Sequence, residues 1–239
     1  MQTCFFRRTL VVLSVLTLGA TVPALAQSTA PPKSEPQSYP ERTALWEKAI
    51  VAFETADREK GTPPPGGILF VGSSSIVQWK TLATDFPGLP TINRGFGGSH
   101  IPDSTFYAAR IVLPYAPKTV VLYAGDNDIA AGHTSAQVTG DFQTFALKIR
   151  SALPEAKILY LAIKPSPSRW KFQDRIQAAN KNIADWIGTQ KNMAFVDVHT
   201  PMLGENGEPR PELYVADRLH LSPEGYKLWT QVLAPYLKP

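Results

Sequence analysis

The chain has 239 residues, of which 44% are hydrophobic and 18% are charged, and its net charge is +4 at pH 7. Basic residues are scattered along the chain rather than clustered, which argues against a nucleic-acid partner. The only cysteine is Cys4, so the rest of the chain has no disulfide, no cysteine-ligated metal site and no cysteine nucleophile.

The N-terminal segment has the three regions of a secretory signal peptide. An arginine pair precedes the apolar run 9–20, and Ala-Leu-Ala, which ends at Ala26, has small residues at the spacing that signal peptidase recognises. The apolar run is shorter than the about 20 residues of a membrane-spanning helix, although a membrane anchor is the alternative interpretation. Cys4 precedes this run, whereas a lipoprotein cysteine would follow it. We therefore predict a signal peptide over residues 1–26 and a mature chain that begins at Gln27.

Export without an integral membrane anchor would place the mature protein in the periplasm or outside the cell. Loss of the two arginines with the leader would lower the basic residues from 24 to 22, against 20 acidic residues, so the net charge would be near +2. Residues 27–40 are rich in Pro, Ser and Gln, and we predict a disordered linker there. The remainder, residues 41–239, is long enough for one domain with a single sizeable core.

The predicted domain begins with a helix and then alternates short apolar segments with helical patterns. Residues 41–60 have apolar side chains on one helical face, and the Pro- and Gly-rich segment 62–67 ends the helix. The apolar segments, each suited to a strand buried on both faces, are 68–71, 120–123, 158–163 and 194–198, with 91–93 as a weaker candidate. The helical patterns lie near 75–83, 102–112, 135–152, 172–189 and 222–236. This alternation predicts an α/β fold whose parallel sheet is covered by helices on both faces.

Parallel sheets of this kind bind ligands beyond the carboxyl ends of their strands. Polar and titratable residues gather at those ends in this sequence, in the segments 72–75, 93–100, 126–128 and 217–220. The pattern indicates an active site rather than a simple binding face.

The pair Asp217 and His220 has the spacing at which two side chains face the same side of a turn. The carboxylate could hold one ring nitrogen of the imidazole and orient the other toward a substrate. Ser222, followed by Pro and Glu, favours a helix start directly after this pair and would hold the loop in place. A surface turn with an incidental histidine is the alternative.

Three further residues are suited to acyl transfer. Ser74 lies where a buried strand turns into a helix, and unpaired N–H groups there stabilise negative charge; a simple N-cap, which Ser73 or Ser75 could equally supply, is the alternative. Gly98 can present its N–H, and Asn127 its side-chain NH₂, to an oxyanion. A glycine turn and an Asx turn are the corresponding alternatives. The Gly-x-Ser-x-Gly elbow of α/β-hydrolases is absent, so a serine hydrolase here needs another scaffold.

These motifs together resemble the SGNH (GDSL-like) hydrolase family. The shared blocks are a Gly-x-Ser strand end, a Gly-Gly loop, a Gly-x-Asn-Asp segment and Asp-x-x-His near the C-terminus, in the family's order over roughly residues 68–237. The likeness is especially close to the branch that contains the catalytic subunits of platelet-activating-factor acetylhydrolase. The resemblance implies a three-layer α/β/α sandwich around a parallel, flavodoxin-like five-stranded sheet.

The resemblance also implies the role of each site residue. Ser74 matches the nucleophile, and Asp217 and His220 match the acid and base. The N–H groups of Ser74 and Gly98, with the Asn127 amide, match the oxyanion hole. No cofactor is implied.

One position departs from the family's pattern. Ser73 stands where the signature has Asp immediately before the nucleophile, a residue usually taken as structural. The change leaves open which serine attacks, with Ser75 as the alternative to Ser74.

Other polar residues have weaker signals. Asp126 and Asp128 could indicate a divalent cation, but no third ligand has a recognisable spacing, and we expect no metal. The histidines without a motif partner are expected to be structural: His100, His133 and His199. The tryptophans 79, 186 and 229 are expected in the core or in helix packing. Trp170 is the exception, because it stands beside an arginine in the loop after the fourth predicted strand.

The expected activity is ester hydrolysis through an acyl-enzyme, with a small acyl group such as acetyl on a carbohydrate or another polar carrier. A lysophospholipase, lipase or thioesterase is the alternative within the family. A non-catalytic carbohydrate- or glycolipid-binding module on the same fold is a second alternative. A flavodoxin-like nucleotide binder would have the same strand pattern, but the phosphate loop it needs is missing. The sequence makes no prediction of the oligomeric state.

Overall fold

The computed structural model describes Met1 and residues 44–238. The predicted signal peptide, apart from Met1, the predicted linker and the first three residues of the predicted N-terminal helix lie outside the described residues. Apart from Met1, the described residues all belong to one unit, Gln37–Pro239. Within the described part of the chain, no helix has the length and apolar character needed to span a bilayer.

Five strands form a single parallel sheet in the order β2-β1-β3-β4-β5. The strands are β1 (Ile68–Gly72), β2 (Thr91–Gly95), β3 (Thr119–Tyr123), β4 (Lys157–Leu161) and β5 (Met193–Val196). All five predicted segments are strands, and the order is the flavodoxin-like one that the resemblance implied. The predicted fourth segment, 158–163, extends two residues too far. The N–H and C=O of Ile163 bind the side chain of Asn180 instead of a neighbouring strand.

Helices cover both faces of this sheet. The α-helices are α1 (Glu47–Lys60), α2 (Ser74–Val77), α3 (Leu82–Asp85), α4 (Ile101–Ile111), α5 (Asp126–Ala130), α6 (Ser135–Ala152), α7 (Gln173–Ile187) and α8 (Pro223–Leu237). Short 3₁₀ helices span Leu113–Tyr115, Pro167–Phe172, Thr200–Met202 and Pro211–Leu213.

Two helix predictions need correction. The predicted helix 75–83 is two short helices, because Trp79 between them is buried in the core and its indole N–H donates to Asp85 at 2.6 Å. The predicted helix 41–60 begins only at Glu47. Trp46, just before it, donates its indole N–H to the carbonyl of Gly97 at 2.7 Å, and its own carbonyl accepts the N–H groups of Ala49 and Ile50.

The strands contribute alternate residues to two hydrophobic cores, one on each face of the sheet. On one face, Leu69 and Leu122 pack with residues of α1, α4, α6 and α7, among them Phe142. On the other face, Phe70 and Val121 pack with residues of α2, α3 and α8. Because the inner strands β1, β3 and β4 are covered on both sides, their apolar residues run continuously, as the sequence pattern indicated. The edge strands β2 and β5 are only partly buried. The three-layer α/β/α sandwich is thus confirmed.

The end of β1 depends on a glycine that no other residue can replace without rearrangement. Gly72 has φ +131°, and a Cβ atom there would lie 1.9 Å from the carbonyl oxygen of Tyr123. This close approach lets the N–H of Ser73 donate to the same oxygen at 2.9 Å. The chain can therefore turn from β1 directly into α2, which sets the position of Ser74.

Candidate active site

The candidate site lies at the carboxyl edge of the sheet. Ser74, Gly98 and Asn127 follow β1, β2 and β3, which are neighbours in the sheet, so the three residues come to one edge although they are far apart in sequence. The segment 217–220, directly before α8, reaches the same edge, since His220 contacts Ser74. The structure thus brings together the residues that the sequence motifs singled out.

Ser74, His220 and Asp217 form a continuous chain of short contacts. His220 Nε2 lies 2.9 Å from Ser74 Oγ, and His220 Nδ1 lies 2.6 Å from Asp217 Oδ2. An ionised carboxylate can only accept, so Nδ1 carries the proton and Nε2 is free to accept the hydroxyl proton of Ser74. This is the arrangement of a nucleophile, a base and an orienting carboxylate.

The carboxylate of Asp217 is held by its own loop. Its Oδ1 accepts the backbone N–H groups of Leu219 at 2.8 Å and His220 at 2.9 Å, while Arg218 between them adopts a left-handed conformation with φ +59°. Partial burial raises the pKa of Asp217, but the hydrogen bonds from His220 and Leu219 outweigh it and bring this pKa to about 2. Asp217 is therefore ionised at neutral pH, as the contact with the imidazole requires.

Of the three consecutive serines, only Ser74 contacts a histidine. Ser73 and Ser75 are fully buried, and within the described chain their hydroxyls have no hydrogen-bond partner. Ser74 is partly exposed as the first residue of α2, whereas Ser73 is the N-cap residue. The geometry therefore favours Ser74 over Ser75 as the candidate nucleophile.

Helix α8 holds the histidine loop against the serine turn. Ser222 caps the helix by accepting the N–H of Gly225 at 3.2 Å, as the sequence predicted. The hydroxyl of Tyr226 donates to the carbonyl of Ser75 at 3.0 Å. One helix start thus ties together both segments that contribute to the Ser–His contact.

The Asn127 amide has a defined orientation. Its Oδ1 accepts from Arg169 Nη2 at 2.8 Å, and its Nδ2 donates to the carbonyl of Ser99 at 3.0 Å. Arginine can only donate and a carbonyl can only accept, so the two contacts determine which amide atom is nitrogen. One N–H of Asn127 remains for another acceptor. Gly98, with φ +76° and an exposed position, leaves its surroundings open to a bound molecule.

A buried group of charges lies behind Asn127, and sequence reasoning did not find it. Asp126, only 3% exposed, contacts Lys164 Nζ at 3.0 Å and Arg169 Nη1 at 3.1 Å. Burial raises the pKa of Asp126, but Lys164 and Arg169 together hold it below its ordinary value. The one available signal was Lys164 itself, a charged residue directly after an apolar strand segment.

These contacts bear on the expected absence of a metal, which stays a prediction. Asp126 is neutralised by two cations and is poorly suited to ligate another. His100, Asp128 and His133 form a different group, whose candidate ligand atoms all lie within 4.8 Å of one another. Asp128 Oδ1 accepts the N–H of Ile101 at 3.1 Å, and the side chain of His100 takes part in a capping box at the same helix start. Two of the three side chains thus already hold the start of α4.

The other singled-out side chains are in structural positions. His199 is buried, with Nδ1 2.8 Å from the carbonyl of Ile163 and Nε2 2.9 Å from Gln173 Nε2, and burial lowers its pKa. Trp79 and Trp229 lie in one hydrophobic core, and Trp186 packs against the other. Trp170 belongs to neither core.

The chain resembles known proteins in both sequence and fold. The model of the GDSL-like lipase/acylhydrolase family matches residues 69–228. A Streptococcus pneumoniae protein provisionally described as a platelet activating factor has a TM-score of 0.72 at 20% identity, covering 83% of this chain and 96% of that one. A GDSL-like lipase from Bacteroides thetaiotaomicron has a TM-score of 0.65 at 21% identity, covering 81% and 96%.

A more distant structure, an acetyl-xylooligosaccharide esterase from Geobacillus, has a TM-score of 0.57 at 14% identity, covering 74% of this chain and 97% of that one. No curated protein sequence matches the chain significantly. The structural likenesses, all at low identity, show the fold, whereas the family model covers most of the described domain. The chain belongs to the GDSL-like lipase/acylhydrolase family, within the SGNH hydrolases, and is a hydrolase of ester bonds.

Proposed function

We propose that the protein cleaves carboxylic esters through a serine acyl-enzyme. Ser74 is the nucleophile, His220 the general base and acid, and Asp217 the carboxylate that orients the imidazole. The observation that carries this proposal is the unbroken contact from Ser74 Oγ through both ring nitrogens of His220 to Asp217, at 2.9 and 2.6 Å.

In the first step, His220 Nε2 takes the proton of Ser74 as Oγ attacks the acyl carbonyl. Asp217 stays ionised and stabilises the imidazolium that forms. The imidazolium then protonates the departing alcohol, and a water molecule, activated by the same nitrogen, releases the acid. Every proton transfer uses His220, so no cofactor is needed.

Negative charge develops on the former carbonyl oxygen during both steps. We assign three donors to it: the N–H of Ser74 at the start of α2, the N–H of Gly98 and the Asn127 N–H that does not bind Ser99. Loss of one such donor typically lowers kcat by about 10²–10³-fold, because preorganised donors act on charge that appears only in the transition state.

For the substrate, we propose a small acyl group, such as acetyl, on a carbohydrate or another polar carrier, and we propose that the enzyme is exported. The predicted signal peptide supports export. Export in turn supports a carbohydrate substrate, because exported hydrolases meet extracellular polymers. A structural neighbour is an acetyl-xylooligosaccharide esterase, which shows that this fold accommodates such chemistry in that protein. Lipid or thioester substrates are the alternative that a graded ester series distinguishes.

The test is hydrolysis of p-nitrophenyl esters from acetyl to dodecanoyl by the parent and by three variants. We expect the highest kcat/KM for acetyl. Ser74→Ala should lower kcat by at least about 10⁴-fold, because a triad without its nucleophile keeps only residual catalysis. Ser73→Ala and Ser75→Ala are the matched controls and should retain most of the activity. An inactive Ser75→Ala variant together with an active Ser74→Ala variant would show that Ser75, not Ser74, is the nucleophile. The highest kcat/KM for the dodecanoyl ester would favour the lipid alternative.

A further inference from the structure

A cavity of about 440 Å³ adjoins the loop that carries Asp217 and His220. Its walls include Trp170, Asn206, Glu208, Arg210 and Arg218. The volume falls within the range of about 300–1,000 Å³ that is usual for ligand pockets. None of these five side chains has a role in the chemistry described above.

The cavity is joined to the reacting groups through the backbone. Arg218 stands between Asp217 and His220, and its carbonyl accepts the N–H of Ser168 at 3.1 Å. That hydrogen bond ties the histidine loop to the 3₁₀ helix Pro167–Phe172, which carries Trp170 in the cavity wall and Arg169 against Asn127. A molecule in the cavity therefore lies beside the residues that hold both the base and the oxyanion donor.

Two side chains in the cavity wall have unused binding capacity. Within residues 44–238, the partly exposed indole of Trp170 has neither a ring partner nor a hydrogen-bond acceptor, and the exposed guanidinium of Arg218 has no acceptor. Trp79 and Trp229, by contrast, pack against each other with ring centroids 5.9 Å apart. An indole that contributes to neither core and faces a cavity is available to a ligand.

A larger cavity of about 770 Å³ borders α8, but its aromatic side chain is already engaged. Tyr226 there donates its hydroxyl to Ser75 and packs its ring 5.3 Å from that of Trp79. The smaller cavity thus has the stronger case as a ligand site, because its aromatic ring has no partner within residues 44–238.

The chemistry of the wall fits a sugar ring. A flat indole packs against the C–H face of a pyranose, while guanidinium, amide and carboxylate groups bind its hydroxyls as donors and acceptors. Arg210 is paired with Glu212 at 2.8 Å. Among the described residues, the wall therefore offers a ligand one unpaired positive charge, on Arg218, and one negative charge, on Glu208. Prolines 167, 209 and 211 also line the cavity, so its wall combines apolar surface with charged and amide groups.

We infer that this cavity is the subsite for the sugar that carries the scissile ester, with Trp170 stacked on the ring and Arg218 donating to its hydroxyls. The inference rests on the proposed ester hydrolysis by Ser74 and names the class of its leaving group, a carbohydrate.

The experiment compares acetylated sugars with an acetyl ester that lacks a sugar. The substrates are a monoacetylated glucoside and a monoacetylated xyloside, whose other hydroxyls are free, and p-nitrophenyl acetate. The readout is the ratio of kcat/KM for each sugar to kcat/KM for p-nitrophenyl acetate. Trp170→Ala should lower this ratio by about tenfold, mainly through KM, which corresponds to about 1.4 kcal/mol for an aromatic anchor. Trp170→Phe should restore most of the ratio, since it keeps an aromatic face.

Lys171→Ala is the matched control, because Lys171 belongs to the same 3₁₀ helix but is not part of the cavity wall. The kcat/KM ratio of this variant should equal that of the parent. An unchanged ratio in Trp170→Ala, or a parent that cleaves p-nitrophenyl acetate but neither sugar, would overturn the subsite alone. A parent that cleaves none of the three, or a Ser74→Ala variant with parental rates, would instead overturn the proposed function.

Discussion

At the scale of single residues, the site depends most on the three hydrogen bonds that the carboxylate of Asp217 accepts. One oxygen accepts two backbone N–H groups of its own loop, and the other accepts the imidazole N–H of His220. The first pair of bonds fixes the carboxylate, and the third fixes the ring. Because these bonds keep the pKa of Asp217 at about 2, the carboxylate remains ionised under any ordinary assay condition.

Asp217→Asn should lower kcat by at least about 10²-fold with little change in KM, because an amide no longer holds the imidazole in its productive tautomer.

The measurement is kcat/KM against pH for the parent and Asp217→Asn on one soluble acetyl ester. A parental rate in Asp217→Asn would show that His220 works as a dyad with Ser74. Since the pKa of Asp217 is about 2, protonation of this carboxylate should produce no inflection in the parental profile above about pH 3.

At the scale of structural elements, the 3₁₀ helix Pro167–Phe172 links three parts of the site. Its Arg169 binds Asp126 through Nη1 and Asn127 through Nη2, both on α5, and its Ser168 binds the histidine loop. Arg169 does not reach the reacting atoms and is therefore a positioning residue. It keeps the oxygen of the Asn127 amide turned away from the place where, under the proposed mechanism, the oxyanion forms.

Arg169→Met should lower kcat by about 10–100-fold and leave KM nearly unchanged, because the amide of Asn127 can then rotate and lose part of its donor effect. Arg169→Lys should recover some activity, since an ammonium group still pairs with Asp126 but lacks the second donor arm. In a double-mutant cycle, Asn127→Ala combined with Arg169→Met should be no worse than Asn127→Ala alone. Fully additive losses would show that Arg169 acts by a route other than Asn127, and urea unfolding of each variant controls for stability.

At the scale of the whole molecule, the sheet order brings the loops together. The strands β2, β1 and β3 are neighbours, so Gly98, Ser74 and Asn127 lie side by side at one edge. Two cores, one on each face, hold the sheet between its helices.

The chain as a whole also carries an export prediction. If residues 1–26 are a signal peptide, protein recovered from the extracytoplasmic fraction should begin at Gln27. Intact-mass measurement of that fraction checks the prediction, with protein from the cytoplasm of cells whose export is blocked as the control. An intact Met1 in the extracytoplasmic protein would contradict the signal peptide and favour the membrane-anchor alternative.

The sequence by itself determined the fold class and the candidate residues, and the reason is that both depend on local patterns. A strand buried on both faces is a continuous apolar segment, and a capped helix start has a recognisable Ser-Pro-Glu, so four strands and the start of α8 could be predicted in this way. The edge strand β2, which includes Asn93 and Arg94, was only a weaker candidate. The Asp-x-x-His spacing places two side chains of one turn together without any knowledge of the rest of the chain. Even so, the observed end of β4 differs from the predicted one, because the side chain of the distant Asn180 binds the backbone of Ile163.

Only the tertiary structure decided among equivalent residues and revealed contacts between distant segments. Three serines in a row are alike in sequence, and Ser74 differs from its neighbours only because His220, 146 residues away, lies against it. The orientation of Asn127 is likewise set by Arg169, 42 residues away. Such pairings depend on which strands lie side by side, and this is a property of the folded sheet that no local spacing encodes.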